Sequence, residues 1–426
     1  MKRSLVLIAA AVLVAGCGGA GGSAQQEGTD GSPGQVTLEW WHLSTAEPLK
    51  SLWDQRAKEF MAQNPNVTIK ATVLENDAYK AKLTTITQSG QAPDLFATWG
   101  GGVLQQQIEA GLVKDISTDV ADVLPNFTPA ALSAYQFDGK TYGLPTDIGV
   151  VGFWYNKELF QQAGITEPPA TWSAFLEDVK KLKAAGITPI ALAGKEKWPG
   201  HYYWAYLAMR IAGLDALKQA AVDNDFNRPD FVAAGQQLKA LADLQPFQKG
   251  FLGAGYGTPD GQAATMGNGQ AAMELMGQWA PATQADAGKG LGEDLGFFPF
   301  PAVEGGKGSA GDAFGGGGGL AVGTDAPPQA VEFVKYMTAM ENHSKAVEAG
   351  GVLPVLKGEE NAVEDPNLKQ VATMLAGATG YQLYLDQAYP PAVGQQVNDS
   401  VAELIGGTKT PEEVAQDITE VAKSEG

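Results

Sequence analysis

Five aromatic side chains, Trp41, Trp99, Trp198, Trp279 and Tyr384, fall at strand ends or in loops, where core packing explains them least. Glu75, Asn76, Asp147, Asp386 and Gln387 occupy comparable places and supply fixed hydrogen-bond donors and acceptors. Flat rings beside such groups suit a small ligand with apolar C–H faces and a rim of hydroxyls. His42 closes the first strand, and His201 either caps a helix or enters the same site. Other chemistries have little material. One cysteine and three histidines in 426 residues exclude an internal disulfide and leave too few soft ligands for a zinc or iron-sulfur centre. No cofactor and no metal are expected. A G-x-S-x-G elbow does not occur, and none of the 48 acids stands in a recognisable catalytic motif. A glycoside hydrolase would need two facing carboxylates, for which Asp147 and Asp386 are the candidates.

The 29 basic and 48 acidic residues give a formal net charge of -19, which repels phosphates and anionic surfaces and argues against nucleic acid as a partner. Two glycine runs invite an anion-binding reading. Gly100–Gly102 opens a helix after a strand, but no Gly-Lys-Ser/Thr follows and no G-x-G-x-x-G pattern is completed, so the run is structural. Gly315–Gly319 leads into the apolar residues Leu320 to Val322. The missing side chains at Gly316 and Gly317 let a bulky ligand or another backbone come close.

Residues 1–16 are expected to be an export signal, with Lys2 and Arg3 before an apolar run, Leu5 to Val14, that is too short to span a bilayer. The run ends in Val14-Ala15-Gly16-Cys17, which resembles the lipobox of bacterial lipoproteins and implies a lipid on Cys17 that holds the chain on the extracytoplasmic face of the membrane. Residues 18–35, rich in Gly, Ser, Gln and Thr without apolar periodicity, read as a tether with a reach of roughly 25 Å.

The elements that must position the candidate residues follow from periodicity. Period-two alternation over residues 36–41 predicts a strand, with Trp40 on the inward face beside Val36 and Leu38 and Trp41 in the opposite phase, towards the site. A helix follows from Pro48 to Asn64-Pro65, with Trp53 on its apolar face. Strands at 67–73 and 94–99 alternate with helices around Tyr79 and over 103–110. This order predicts a mostly parallel sheet covered on both faces, with ligands beyond the strands' carboxyl ends. A second unit begins near residue 150. It has strands at 149–155, 187–193, 271–276 and 295–300, helices from Thr171 and over 202–212, 231–244 and 259–267, and Trp154 and Trp172 in its core. The chain returns to the first unit around 315–322 and is largely helical from Pro327.

The order of elements and the strings LEWWH (38–42), PDLFATWGGG (93–102), YGLPTDIGVVGFWYN (142–156), MELMGQWA (273–280) and GYQLYLDQAYPP (380–391) resemble the bacterial extracellular solute-binding proteins of maltose-binding type, the sugar receptors of ABC importers. The resemblance implies an α/β fold of two lobes, each a mostly parallel sheet flanked by helices, with the ligand in the cleft between them. It divides the chain into 36–148 with 316–365 and 149–315 with 366–426. It implies a binding protein, not an enzyme, which works as a monomer with permease subunits as partners. The segments Trp40–His42, Pro145–Asp147, Gly277–Trp279 and Tyr384–Gln387 fall where such proteins contact ligand. The expected solute is a neutral di- or oligosaccharide, with xylobiose or xylo-oligosaccharides favoured. A polyamine would suit the acids and aromatics as an alternative.

Overall fold

Strand Val36–His42 is the second strand of the first sheet, paired on both edges, and its carboxyl end, Trp40 to His42, is buried on both faces. In the computed structural model, which describes residues 34–425, this sheet has the order 67–73, 36–42, 95–98, 319–322, 143–145. The signal segment and Cys17 lie outside the described residues. Helix Leu49–Gln63 covers one face, where Trp53 and Phe60 pack with Trp40 and Phe333. Helix Asn76–Ser89 and helix Gly101–Glu109 cover the other, where Tyr79, Leu83 and Leu104 pack with Trp41 and Phe96.

The first three strands run parallel, but 319–322 runs against both of its neighbours. In the second lobe strand Gly152–Asn156 is central and antiparallel to both Met273–Met276 and Leu295–Phe298. The expectation of mostly parallel sheets is therefore corrected. The 152–156 strand enters from the first lobe, so its start lies beside the ends of its neighbours, with Gly152 opposite Met276. That register also brings residues 277–279, which follow Met276, to the side facing the first lobe.

Two segments cross between the lobes side by side, bonded through backbone alone. Thr146 N donates to Gly318 O at 2.8 Å, Gly149 N to Gly316 O at 2.6 Å, and Val151 N to Phe314 O at 2.9 Å. Glycine is required here, since a Cβ on Gly317 would stand 2.0 Å from Asp147 O. Around the second sheet the long helix Trp198–Ala212 is buried on nearly every side and packs on helices Pro229–Asp243 and Pro391–Ile405.

Several elements differ from their expected bounds. The helix expected from Tyr202 starts at Trp198, because Pro199 is preorganised for a first turn. Residues 187–193 form no strand. Ile190 makes single bridges, and the Gln248 side chain bonds both backbone groups of Leu192 at 2.8 Å, taking the place of a strand neighbour. Strand Gly380–Leu383 interrupts the stretch expected to be helical and pairs with Asp312–Gly315.

Candidate functional site

The ends of the first lobe's parallel strands and the loops of the second lobe line one cavity of about 340 Å³. From the first lobe come residues 43–49 after the first strand, Glu75, Asn76 and Lys80 after the second, and Trp99 after the third. From the second come Trp198 and Tyr202 on one helix, Tyr256 on a loop, and Trp279 at the start of helix Ala280–Ala287. The crossing segments contribute Asp147 and Gly317, and Tyr384, Asp386 and Gln387 complete the floor.

The second-lobe side is a continuous aromatic surface. Tyr384 stacks on Tyr202, with centroids 5.0 Å apart and planes 19° apart, and meets Trp279 edge-on at 6.3 Å. Trp198 extends it to Tyr202 at 5.6 Å and to Tyr256 at 5.4 Å. Opposite, Trp99 stands edge-on to Tyr79 at 5.8 Å, with Lys80 Nζ 5.6 Å from its ring centre. Four buried polar atoms of lining residues make no well-formed hydrogen bond to protein: Gln387 Oε1, and Trp198 Nε1, Tyr256 OH and Tyr384 OH, whose nearest polar side chains are Glu196, Thr283 and Tyr202. Such groups lose free energy unless a ligand or water bonds them.

Two carboxylates in the cavity are tuned in opposite directions. Burial alone would raise Asp386, but the Lys80 ammonium at 2.9 Å and the Asn398 amide at 3.1 Å outweigh it and hold the carboxyl at about 2. Asp147 is half-buried by area, yet the groups packed around its carboxyl desolvate it and push it up to about 7. Its partners are neutral: the Leu353 N–H at 2.9 Å and the Gln278 amide.

Glu75, Asn76, Trp99, Asp147, Trp198, Trp279, Gly317, Tyr384, Asp386 and Gln387 thus come together, as their positions in the sequence suggest. Trp41, His42, His201 and Gly316 do not line the cavity. Trp41 is 8% exposed, with Lys82 Nζ 3.8 Å from its ring centre, because helix 76–89 covers that face at the strand's end, where Tyr79, Leu83 and Phe96 pack with the ring, although Thr37 and Glu39 in the same phase are exposed. His42 lies against the Trp40 ring at 4.3 Å, and burial lowers its imidazole to about 4. His201 is fully buried within its helix and is lowered to about 4 for the same reason. Gly316 lies beneath the Tyr384 ring, which a Cβ would approach to 2.4 Å. Sequence reasoning missed Lys80, Tyr202, Tyr256 and residues 43–49. Lys80 and Tyr202 carried a usable signal, since each lies four residues beyond an expected site residue and so on the same helix face.

Residues 44–343 match the family model described as bacterial extracellular solute-binding protein. The chain belongs to this family. Among its relatives in the bacterial extracellular solute-binding proteins are the multiple sugar-binding protein of Streptococcus mutans, 26% identical over 88% of this chain and 86% of that one, and the diacetylchitobiose binding protein of Streptomyces coelicolor, 25% identical over 88% of each. Among solved structures, one from work on xylan utilization by Caldanaerobius polysaccharolyticus superposes with a TM-score of 0.83 at 30% identity, covering 90% of this chain and 99% of that one. A chitin oligosaccharide binding protein gives 0.84 at 28% identity, covering 92% and 98%. The solute-binding fold is two-lobed, as expected. No described helix is long and apolar enough to cross a membrane.

Proposed function

We propose that this solute-binding protein captures a neutral di- or oligosaccharide in the cleft and delivers it to the permease of an ABC importer, tethered to the outer face of the membrane by a lipid on Cys17. The carrying observation is the aromatic surface Trp279–Tyr384–Tyr202–Trp198–Tyr256 bearing buried polar atoms that make no well-formed hydrogen bond to protein, since apolar sugar faces stack on rings and hydroxyls bond those atoms. The names of the relatives, for multiple sugars, diacetylchitobiose and chitin oligosaccharide, and the xylan context of one neighbour support the solute class. Xylobiose and longer xylo-oligosaccharides are the first ligands to test. A polyamine is the second reading, favoured by Glu47, Glu75, Asp147, Asp286 and Asp386 against the single Lys80 in the lining.

Titration calorimetry of the protein against xylo-oligosaccharides, chitin oligosaccharides, maltose-type sugars and spermidine tests this. Saturable binding of a sugar, without new reducing ends on long incubation, is expected. Binding of spermidine alone would replace the sugar reading, and released reducing ends would replace the receptor with a hydrolase. Cys17→Ser should move the protein from the membrane fraction to the soluble fraction, and unchanged fractionation would remove the anchor.

A further inference from the structure

Trp279 follows Gly277 and Gln278 in a loop, and a platform on a loop must be held to be useful. Gln278 is 1% exposed and does not line the cavity. Its Nε2 donates to Asp147 Oδ2, and its amide lies against the crossing backbone so closely that a Cβ on Gly149 would reach 1.7 Å from Oε1. Asp147 is itself fixed from the first lobe. Its Oδ1 accepts Leu353 N at 2.9 Å, and the neighbouring Thr146 O accepts from His343 Nε2 at 2.8 Å. His343 Nδ1 meets Glu359 Oε1 at 2.7 Å, and both of these side chains are fully buried. On the other side, Gly277 O accepts Trp154 Nε1 at 3.0 Å, and the Trp279 indole folds back over Gly277, where a Cβ would stand 2.2 Å from the ring.

We propose that Gln278, held by Asp147, is a positioning residue for the Trp279 platform, so that ligand affinity depends on a side chain that does not touch the ligand. The inference rests on the reading of the cavity as a saccharide site, and it alters the part given to Asp147. Besides facing the cavity, its carboxylate joins the 343–359 segment of the first lobe to the 277–279 loop of the second. Without that tie the indole samples several orientations and must be ordered at each binding event.

The test uses the full chain labelled with fluorotryptophan, with the Trp279 fluorine resonance assigned by its loss in Trp279→Phe. Gln278→Met keeps the side-chain volume and removes only the amide. It should shift or broaden the Trp279 resonance in ligand-free protein while those of Trp53 and Trp172 stay in place. An unchanged Trp279 resonance would overturn the proposal. Affinities for xylobiose and diacetylchitobiose supply a second readout. Gln278→Met should weaken binding about five- to tenfold in the native background and no further in Trp279→Ala. Full additivity of the two losses also overturns it. If neither sugar binds the native protein, the choice of solute fails while the fluorine spectrum still decides the positioning role.

Discussion

The two sides of the cleft are built from different materials. The second-lobe side is a connected run of rings, from Tyr256 through Trp198, Tyr202 and Tyr384 to Trp279, whose helix and loops are continuous with a large apolar core. The first-lobe side is mixed: the polar Ser44, Thr45, Glu47, Glu75, Asn76 and Lys80 stand among the aliphatic Leu43, Ala46, Pro48 and Leu49, and Trp99 is its one ring. Aromatic side chains bury roughly 150–250 Å² each, whereas a hydrogen bond exchanged with water nets only about 0.5–1.5 kcal/mol. On the proposed reading of the cavity, affinity comes chiefly from the ring side and selection among solutes from the hydrogen-bonding groups of the first-lobe side. The cavity's carboxylates follow the same division of roles. Asp386 is ionised and paired with the first lobe's lysine, while Asp147 is bonded to neutral donors at the crossing.

The sharpest separation of packing from platform is Trp41→Ala, which should cost about 3–5 kcal/mol of stability in a melt, because the ring fills an apolar cluster outside the cavity. A loss of sugar affinity in protein that remains folded would return Trp41 to the site. Next, Trp279→Ala should weaken sugar binding by about 1–3 kcal/mol with the fold intact, as read by calorimetry. Full-strength binding would break the assignment of affinity to the ring side.

Lys80→Met should lower stability by about 1–2 kcal/mol, discounted because the lysine is 32% exposed while Asp386 is buried. A depressed carboxylate adds stability that is present above its unfolded value, about 4, and is lost as pH falls through its native value, here about 2. The gap between the native protein and Lys80→Met should therefore shrink as pH falls from 4 to 2, and widen above pH 4, because the variant leaves the Asp386 carboxyl buried without its lysine. A gap independent of pH would mean that the pair contributes only packing. The smallest effect belongs to the exposed Glu75. Glu75→Gln should change affinity for a neutral sugar less than about twofold, whereas for a polyamine the loss would be severalfold and would fade with added salt.

Much of the site was legible because strand ends in an α/β sheet face the ligand whatever the details of packing. Glu75, Asn76 and Trp99 follow from that rule and from local periodicity alone. The rule failed at Trp41 and His42, which are the last two residues of a strand and not the first beyond it, and so stay between the covering helices. Tyr256 was invisible because no local pattern separates a ring facing a cleft from a ring filling a core.

Taken alone, the chain's residues determined the alternation of elements, the absence of material for a disulfide or a Cys/His metal centre, and the glycine runs where backbone must meet backbone. These are properties of composition and of neighbours within a few residues. The strand directions, the Lys80–Asp386 pair spanning 306 positions and the Asp147–Gln278 tie were decided only in the tertiary structure. The physical reason is that the strength of a hydrogen bond or the position of a carboxyl's pKa depends on what surrounds it in space, and those surroundings come from segments far apart in the chain.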